Sequence, residues 1–315
     1  MQLRPDLIAA AVLALAVAAG ASPALAQARD QQASTCENHG GSTPLAQVIA
    51  ACTALIQGGT ETQANLGVDY MNRGNAYDDS RQPALAITDY NKAVSLNPQD
   101  GEAYYNRALS YQRQGDFVRA LADYNQALQL IPNEVEALVR RGEIFAMQRD
   151  VRAFDDFNKA ISLNPNIAEA YYDRGTAYAT GGNAERAIND FDKAIALEPK
   201  NAFSWANRCQ ALATLGQKLD QAQNDCTESL RLAPNDSITL ASRALVRLRK
   251  GDFAGSKADY DAALSGDPRR MIARYGRGVA ELRLGQLDAG HADISAATEK
   301  DSTVADVFKG WGVTP

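Results

Sequence analysis

Histidine is nearly missing from this chain of 315 residues: only His39 and His291 occur. Metal and general-base sites draw mostly on imidazole, and neither histidine has the company such a site needs. His39 lies in a Gly-rich stretch, and His291 stands alone beside Asp293. Cys-x-x-Cys, His-Glu-x-x-His and Gly-x-Ser-x-Gly patterns are also absent, and Gly181-Gly182 falls at a turn between amphipathic segments rather than in a phosphate loop. The sequence therefore predicts no metal site, no cofactor and no catalytic centre. A basic excess is lacking as well. The 32 Lys and Arg against 38 Asp and Glu leave a net charge of −6, which excludes a protein whose affinity rests on neutralising phosphates. Nucleic acid is not an expected partner.

Long apolar runs are confined to the start of the chain. Arg4 lies in a short n-region, residues 7–19 are apolar, and Ala24-Leu25-Ala26 has the small-x-small form of a signal-peptidase site. These features predict a signal peptide over residues 1–26, cut after Ala26, and a periplasmic or secreted mature chain. Downstream, Asp, Arg or Asn interrupts every apolar segment within a few residues, so no membrane span is expected there. With 45% hydrophobic and 22% charged residues, the remainder has the balance of an ordered chain. Residues 27–34 alone read as disordered.

What the sequence has in abundance is repetition, with a period of about 34 residues. Between Gly101 and Glu134, Tyr104, Ala108, Tyr111, the Gly115-Asp116 break, Ala120, Tyr124, Ala127 and Pro132 space out two amphipathic helices, a turn and a proline stop. This pattern resembles the tetratricopeptide repeat. It can be laid along residues 67–100, 101–134, 135–167, 168–201, 202–236, 237–270 and 271–304, seven repeats in all. Pro98, Pro132, Pro165, Pro199, Pro234 and Pro268 close the first six. The third repeat lacks one residue and its turn glycine, and the fifth carries one extra near Lys218. The resemblance implies an all-α, right-handed superhelical solenoid of helix-turn-helix repeats. Residues 44–57, within an N-terminal segment 27–66, read as a lone second helix capping one end. Residues 305–315, with Phe308 and Trp311, read as a segment closing the other. The Arg-Gly-x-Ala-Tyr motif at Arg73 and Arg174, with the leader-like start, is similar to exported repeat proteins of alphaproteobacterial, rhizobia-like bacteria.

Two residues recur in every repeat. Arg73, Arg107, Arg141, Arg174, Arg208, Arg243 and Arg277 stand in first helices, answered by Asp89, Asp123, Asp156, Asp190, Asp225, Asp259 and Asp293 in second helices. The pairing survives both the deletion and the insertion. A feature copied into every repeat serves what every repeat must do, which is to stack, so seven structural ion pairs are expected ahead of a ligand-gripping stripe. Four cysteines allow three pairings. In a solenoid each repeat touches only its neighbours, so Cys36–Cys52 and Cys209–Cys226 are the expected disulfides, with buried free thiols as the alternative.

In the tetratricopeptide family the first helices line a concave groove, and positions 2, 5, 9, 12 and 13 of each repeat point into it. By that resemblance Glu102, Glu136, Glu143 and Glu169 with Tyr105 and Tyr172 form a mildly acidic stretch. Phe203, Ile238, Leu245, Leu248, Ile272, Val279 and Leu282, edged by Arg249, Arg274 and Arg283, form an apolar one. Two readings of the apolar stretch stand side by side: a site for a peptide or helix, or packing against adjacent repeats and the segment of Phe308 and Trp311. Family members that clamp carboxylates use five residues, of which only Asn75, Asn106 and Arg140 are matched; Asn106 is expected to bond neighbouring backbone instead. The expected role is a non-catalytic scaffold holding a protein or peptide in the bacterial envelope. The alternatives are a self-associating structural protein, a homo-oligomer, or an accessory subunit of an envelope enzyme or export complex.

Overall fold

A computed structural model of the chain describes the backbone of residues 23–38 and 41–315, with side chains from residue 27 onward. Among these residues there are seventeen helices and no strand. The leader-like features over residues 1–22 and the lone His39 lie outside the described residues. The chain forms two compact units, the first ending at Ala137 and the second beginning at Leu138.

The first unit opens with α1 (Pro23–Glu37) and α2 (Leu45–Gly58), joined by the Cys36–Cys52 disulfide. Residues 27–34, expected to be disordered, thus belong to a helix, and the expected lone helix at 44–57 is the second of a pair. The physical cause is burial: Cys36, Val48, Cys52, Leu55 and Ala76 close into one apolar cluster, and the disulfide pins both helices to it. Arg29 reinforces α1 by a two-pronged bond to Glu61 at 2.8 and 2.9 Å. Then follow α3 (Gln63–Asp79), α4 (Pro83–Leu96), α5 (Gly101–Arg113) and α6 (Phe117–Leu130). In the second unit α7 (Val135–Met147), whose first residues belong to the first unit, pairs with α8 (Arg152–Leu163). The same alternation continues through α9 (Ala168–Thr180), α10 (Ala184–Leu197), α11 (Ala202–Leu215), α12 (Leu219–Leu232), α13 (Ser237–Arg249), α14 (Phe253–Gly266), α15 (Met271–Arg283) and α16 (Leu287–Lys300). A seven-residue helix, α17 (Val304–Gly310), ends the run.

Each pair closes on a size match. Tyr90, Phe157 and Phe191 are fully buried second-helix rings, and they lie where a Cβ on Gly74, Gly142 or Gly175 of the first helix would stand 2.7–2.8 Å from ring carbon. The small residue is what admits the ring. In the α11/α12 pair those two positions hold Cys209 and Cys226, which form the second disulfide. A covalent bond there replaces the ring packed on a small residue. The turns between paired helices use a left-handed residue, glycine at Gly115, Gly182, Gly251 and Gly285. Arg81 and Arg149 take that conformation where the glycine is missing, at φ 59° and 55°.

One position beside the small residue stands the recurrent arginine. In each of the seven pairs from α3 and α4 to α15 and α16, Nε and Nη2 donate to the two oxygens of the second-helix aspartate at 2.5–3.0 Å. This is the bidentate geometry that makes guanidinium–carboxylate bonds both strong and directional. In Arg73, Arg107, Arg174, Arg208 and Arg277 the third nitrogen, Nη1, turns to the preceding pair. It reaches Thr53 from Arg73, Asn91 from Arg107, Asn158 from Arg174, Asp192 from Arg208 and Asp261 from Arg277. Below the cation lies an aromatic ring three residues earlier, Tyr70, Tyr104, Tyr171 or Trp205, with the guanidinium carbon 5.1–5.7 Å from its centroid. Each of these arginines therefore staples three helices.

Asp190 is buried and Arg174 mostly so. Truncating Arg174 strands a buried carboxylate, so Arg174→Ala should lower stability by about 3 kcal/mol in a denaturant melt, whereas Arg174→Met with Asp190→Leu should come within about 1 kcal/mol of wild type. A single variant as stable as wild type would mean that the pair contributes nothing.

Candidate binding groove

In the second unit, α9 and α11 frame an open cleft of about 560 Å³. Thr176 and Thr180 come from α9, Asn207, Gln210 and Thr214 from α11, with Ala179 and Leu215 between them, and the fully buried Phe191 of α10 lies beneath. Gly310 and Trp311 form one wall. A row of hydroxyls and amides beside Ala179, Leu215 and Trp311 offers donors and acceptors to a polar backbone and apolar area to its side chains.

The expected groove residues divide. Phe203 is 68% exposed, and Ile238 and Ile272 are also exposed. Leu245, Leu248 and Val279, expected to face a partner, are instead buried in the core cluster that contains Val304 and Phe308. They share that cluster with Leu212 and Ala213 of α11 and Tyr275 and Ala280 of α15 as well as with α17, so both adjacent repeats and the closing segment bury them. Leu282 and Arg249 are half-buried, and Arg283 is exposed. Tyr105 lies against Tyr124, centroids 6.0 Å apart, and Tyr172 against Phe191 at 6.2 Å. The Tyr172 hydroxyl accepts from Asn207 Nδ2 at 3.2 Å, which positions both at the cleft.

Charge is handled separately in each unit. In the first, Asn106 donates to the Asn75 side chain at 3.1 Å, and Asn75 also accepts from the Tyr90 hydroxyl at 2.7 Å. Asn106 thus bonds a side chain, not the backbone as expected, because Tyr90 holds the Asn75 oxygen within its reach. Glu102 and Glu136 are exposed, and hydrogen bonding to Glu136, then burial, raises the Glu134 carboxyl. In the second unit Glu143, Glu169 and Asp173 bring carboxylate oxygens within 4.8 Å of one another. They are the group of residues there that could share a cation, but the Arg140 guanidinium already sits at 2.6 Å from Glu143 and 2.8 Å from Glu169. His291 is exposed.

Two contributors escaped the sequence reading. Four of the polar partners of Nη1, Asn91, Asn158, Asp192 and Asp261, sit sixteen residues before their arginines, a spacing blurred because the residue type changes, and Thr53 sits twenty before Arg73. Asp173 carried no signal beyond its charge. Burial, then Glu143 and Glu169, push its carboxyl up to about 8, with Arg140 pulling the other way. The folded chain thus holds a proton that the unfolded chain releases near pH 4, so the contribution of Asp173 to stability falls as pH rises from about 4 to about 8. Replacing the group by a neutral amide removes that loss. The melting temperature of Asp173→Asn should therefore gain on wild type between pH 5 and pH 8; a constant difference would place the carboxyl in water.

Models of the tetratricopeptide repeat match residues 101–134, 168–201 and 242–304, and a TPR repeat model matches residues 74–115. Solved structures share the fold. The chain resembles the APC/C hetero-tetramer Cut9–Hcn1, with 20% identity and a TM-score of 0.59, covering 80% of this chain and 52% of that one. It thus spans about half the length of that relative. It resembles YrrB, described as a TPR protein with an unusual peptide-binding site, at 20% identity and TM-score 0.50 over 60% of this chain and 96% of that. It also resembles PilW, a type IV pilus biogenesis factor, at 19% identity and TM-score 0.56 over 68% and 98%. None of the curated proteins matches the sequence.

Proposed function

Since the chain belongs to the tetratricopeptide repeat family, we propose that it is a non-catalytic scaffold holding a protein or peptide partner along the first helices of its second unit, in an oxidising compartment of the bacterial envelope. The observation that carries this is the open cleft, about 560 Å³, between Thr176, Thr180, Asn207, Gln210 and Trp311. It is large enough for several residues of an extended chain and is lined by side chains that hydrogen-bond without bearing charge. The partner is therefore neutral or mixed in charge where it meets Asn207 and Gln210. A peptide site in YrrB and a protein partner for Cut9 are roles of the same kind.

The two disulfides favour an oxidising compartment, as do the signal-like residues at the start of the chain. Among the described residues no helix is long and apolar enough to cross a membrane. An envelope role would be of the kind that the pilus factor PilW represents.

Gln210 and Thr180 are exposed, so Gln210→Arg with Thr180→Arg blocks the cleft without touching the core. Affinity capture from envelope extract should retain a protein on wild type and lose at least nine-tenths of it on the double variant, with unchanged circular dichroism. Equal retention would move the site elsewhere. No retention, with concentration-dependent light scattering that the double variant abolishes, would replace the scaffold by a self-associating protein.

A further inference from the structure

The residues after α16 cross the apolar face of the unit instead of stopping at its end. α17 presents one stripe, Val304 and Phe308, continued by Trp311, at the i, i+4, i+7 spacing of a helix laid on a surface. Val304 and Phe308 are completely buried. The Phe308 ring sits 4.8 Å from that of Tyr275 and 5.1 Å from that of Trp311, within the cluster of Leu212, Leu245, Leu248 and Val279. Asp306 and Lys309 on the other side are exposed. Gly312, left-handed at φ 70°, then reverses the chain.

What holds this segment from the other side is a row of repeat-equivalent residues. Thr214, Arg249 and Arg283 each occupy the thirteenth place of their repeats, one of the positions that faces the groove. The Arg249 guanidinium donates to the Trp311 carbonyl and, at 3.1 Å, to that of Thr214, while Arg283 donates to the Thr314 carbonyl at 3.2 Å. Gly216 leaves room for Arg249, because a methyl there would run into the guanidinium. Both arginines bond backbone carbonyls, Arg249 that of Trp311 at the helix end, where any helix leaves carbonyls unpaired, and Arg283 that of Thr314 beyond it. Their grip thus does not depend on which helix is present. A seven-residue helix has no stability of its own in water, so α17 is ordered by the face it covers.

We propose that residues 304–314 are an intramolecular ligand that closes the face of α11, α13 and α15. The partner that displaces it is a short amphipathic helix with the same i, i+4, i+7 apolar pattern, aromatic at its last two places. Its neighbouring Trp311 is also a wall of the open cleft, so release of the segment widens the cleft toward Leu245. This inference extends the scaffold reading to a second, occupied stretch of groove, and it can fail while capture through the Gln210 cleft succeeds.

The test uses a fluorescein-labelled synthetic peptide of residues 302–315 and the full chain. Phe308→Ala loosens the resident segment and leaves the repeat face intact; Trp311→Ala, at a half-buried residue, does so more gently. By fluorescence anisotropy, each variant should bind the peptide at least tenfold more tightly than wild type, and an unlabelled peptide with Phe308 and Trp311 both replaced by Ala should fail to compete. The proposal is overturned if variants with wild-type circular dichroism bind no better than wild type. It is equally overturned if Trp311→Ala unfolds the second unit, because a ligand can leave without taking its site with it.

Discussion

The bidentate bond between a first-helix arginine and a second-helix aspartate is the interaction on which the rest of this structure depends. Helix pairs of about 34 residues cannot bury an apolar face alone, and in a repeat array stability arises from each pair and its neighbours. Here the guanidinium serves both terms. Nε and Nη2 hold the pair together, and Nη1 holds the preceding pair, as in Arg208, which bonds Asp225 and Asp192. Ionised groups half-sunk in a core are costly unless every lone pair and proton is used, which explains why the aspartate is met by two nitrogens and the arginine is also backed by a ring such as Trp205. Removing any one member exposes the expense of the others.

Around that staple the packing follows from residue size. A glycine, alanine or cysteine next to the arginine, and a ring, a cysteine or, in the last pair, Ile294 next to the aspartate, set the distance at which two helices meet. Cys209 and Cys226 show how closely the positions correspond, since a disulfide can stand in for the buried ring. At the beginning of the described chain Cys36 and Cys52 do for α1 and α2 what the staple does elsewhere, with Thr53 offering Arg73 its third bond.

Recurrence decided what could be read from the sequence. Arg73 with Asp89 and Arg243 with Asp259 stood out because the same two residues return in every repeat, and the cysteines because a solenoid leaves each only one near neighbour. Features that occur once gave no such signal. Residues 27–34 look polar enough to be loose, and only the burial of Cys36 against Val48 and Leu55 makes a helix of them. Leu245, Leu248 and Val279 have the positions of groove residues, but they are buried in one cluster with neighbouring repeats and with Val304 and Phe308, and a contact across that distance in sequence has no periodicity to betray it. The candidate site is thus narrower than the sequence suggests: an open stretch around Asn207 and Gln210, and a stretch already filled.

A staple that joins three helices makes a prediction about cooperativity that melting alone does not reach. Hydrogen exchange measured by mass spectrometry on Arg208→Ala would follow each helix separately under native conditions. If the arginine links neighbouring pairs, protection must fall in α10, which carries Asp192, as well as in α11 and α12. Loss confined to α11 and α12, with α10 protected as in wild type, would contradict the account, leaving the arginine a bond within its own pair and the joint between pairs to apolar packing.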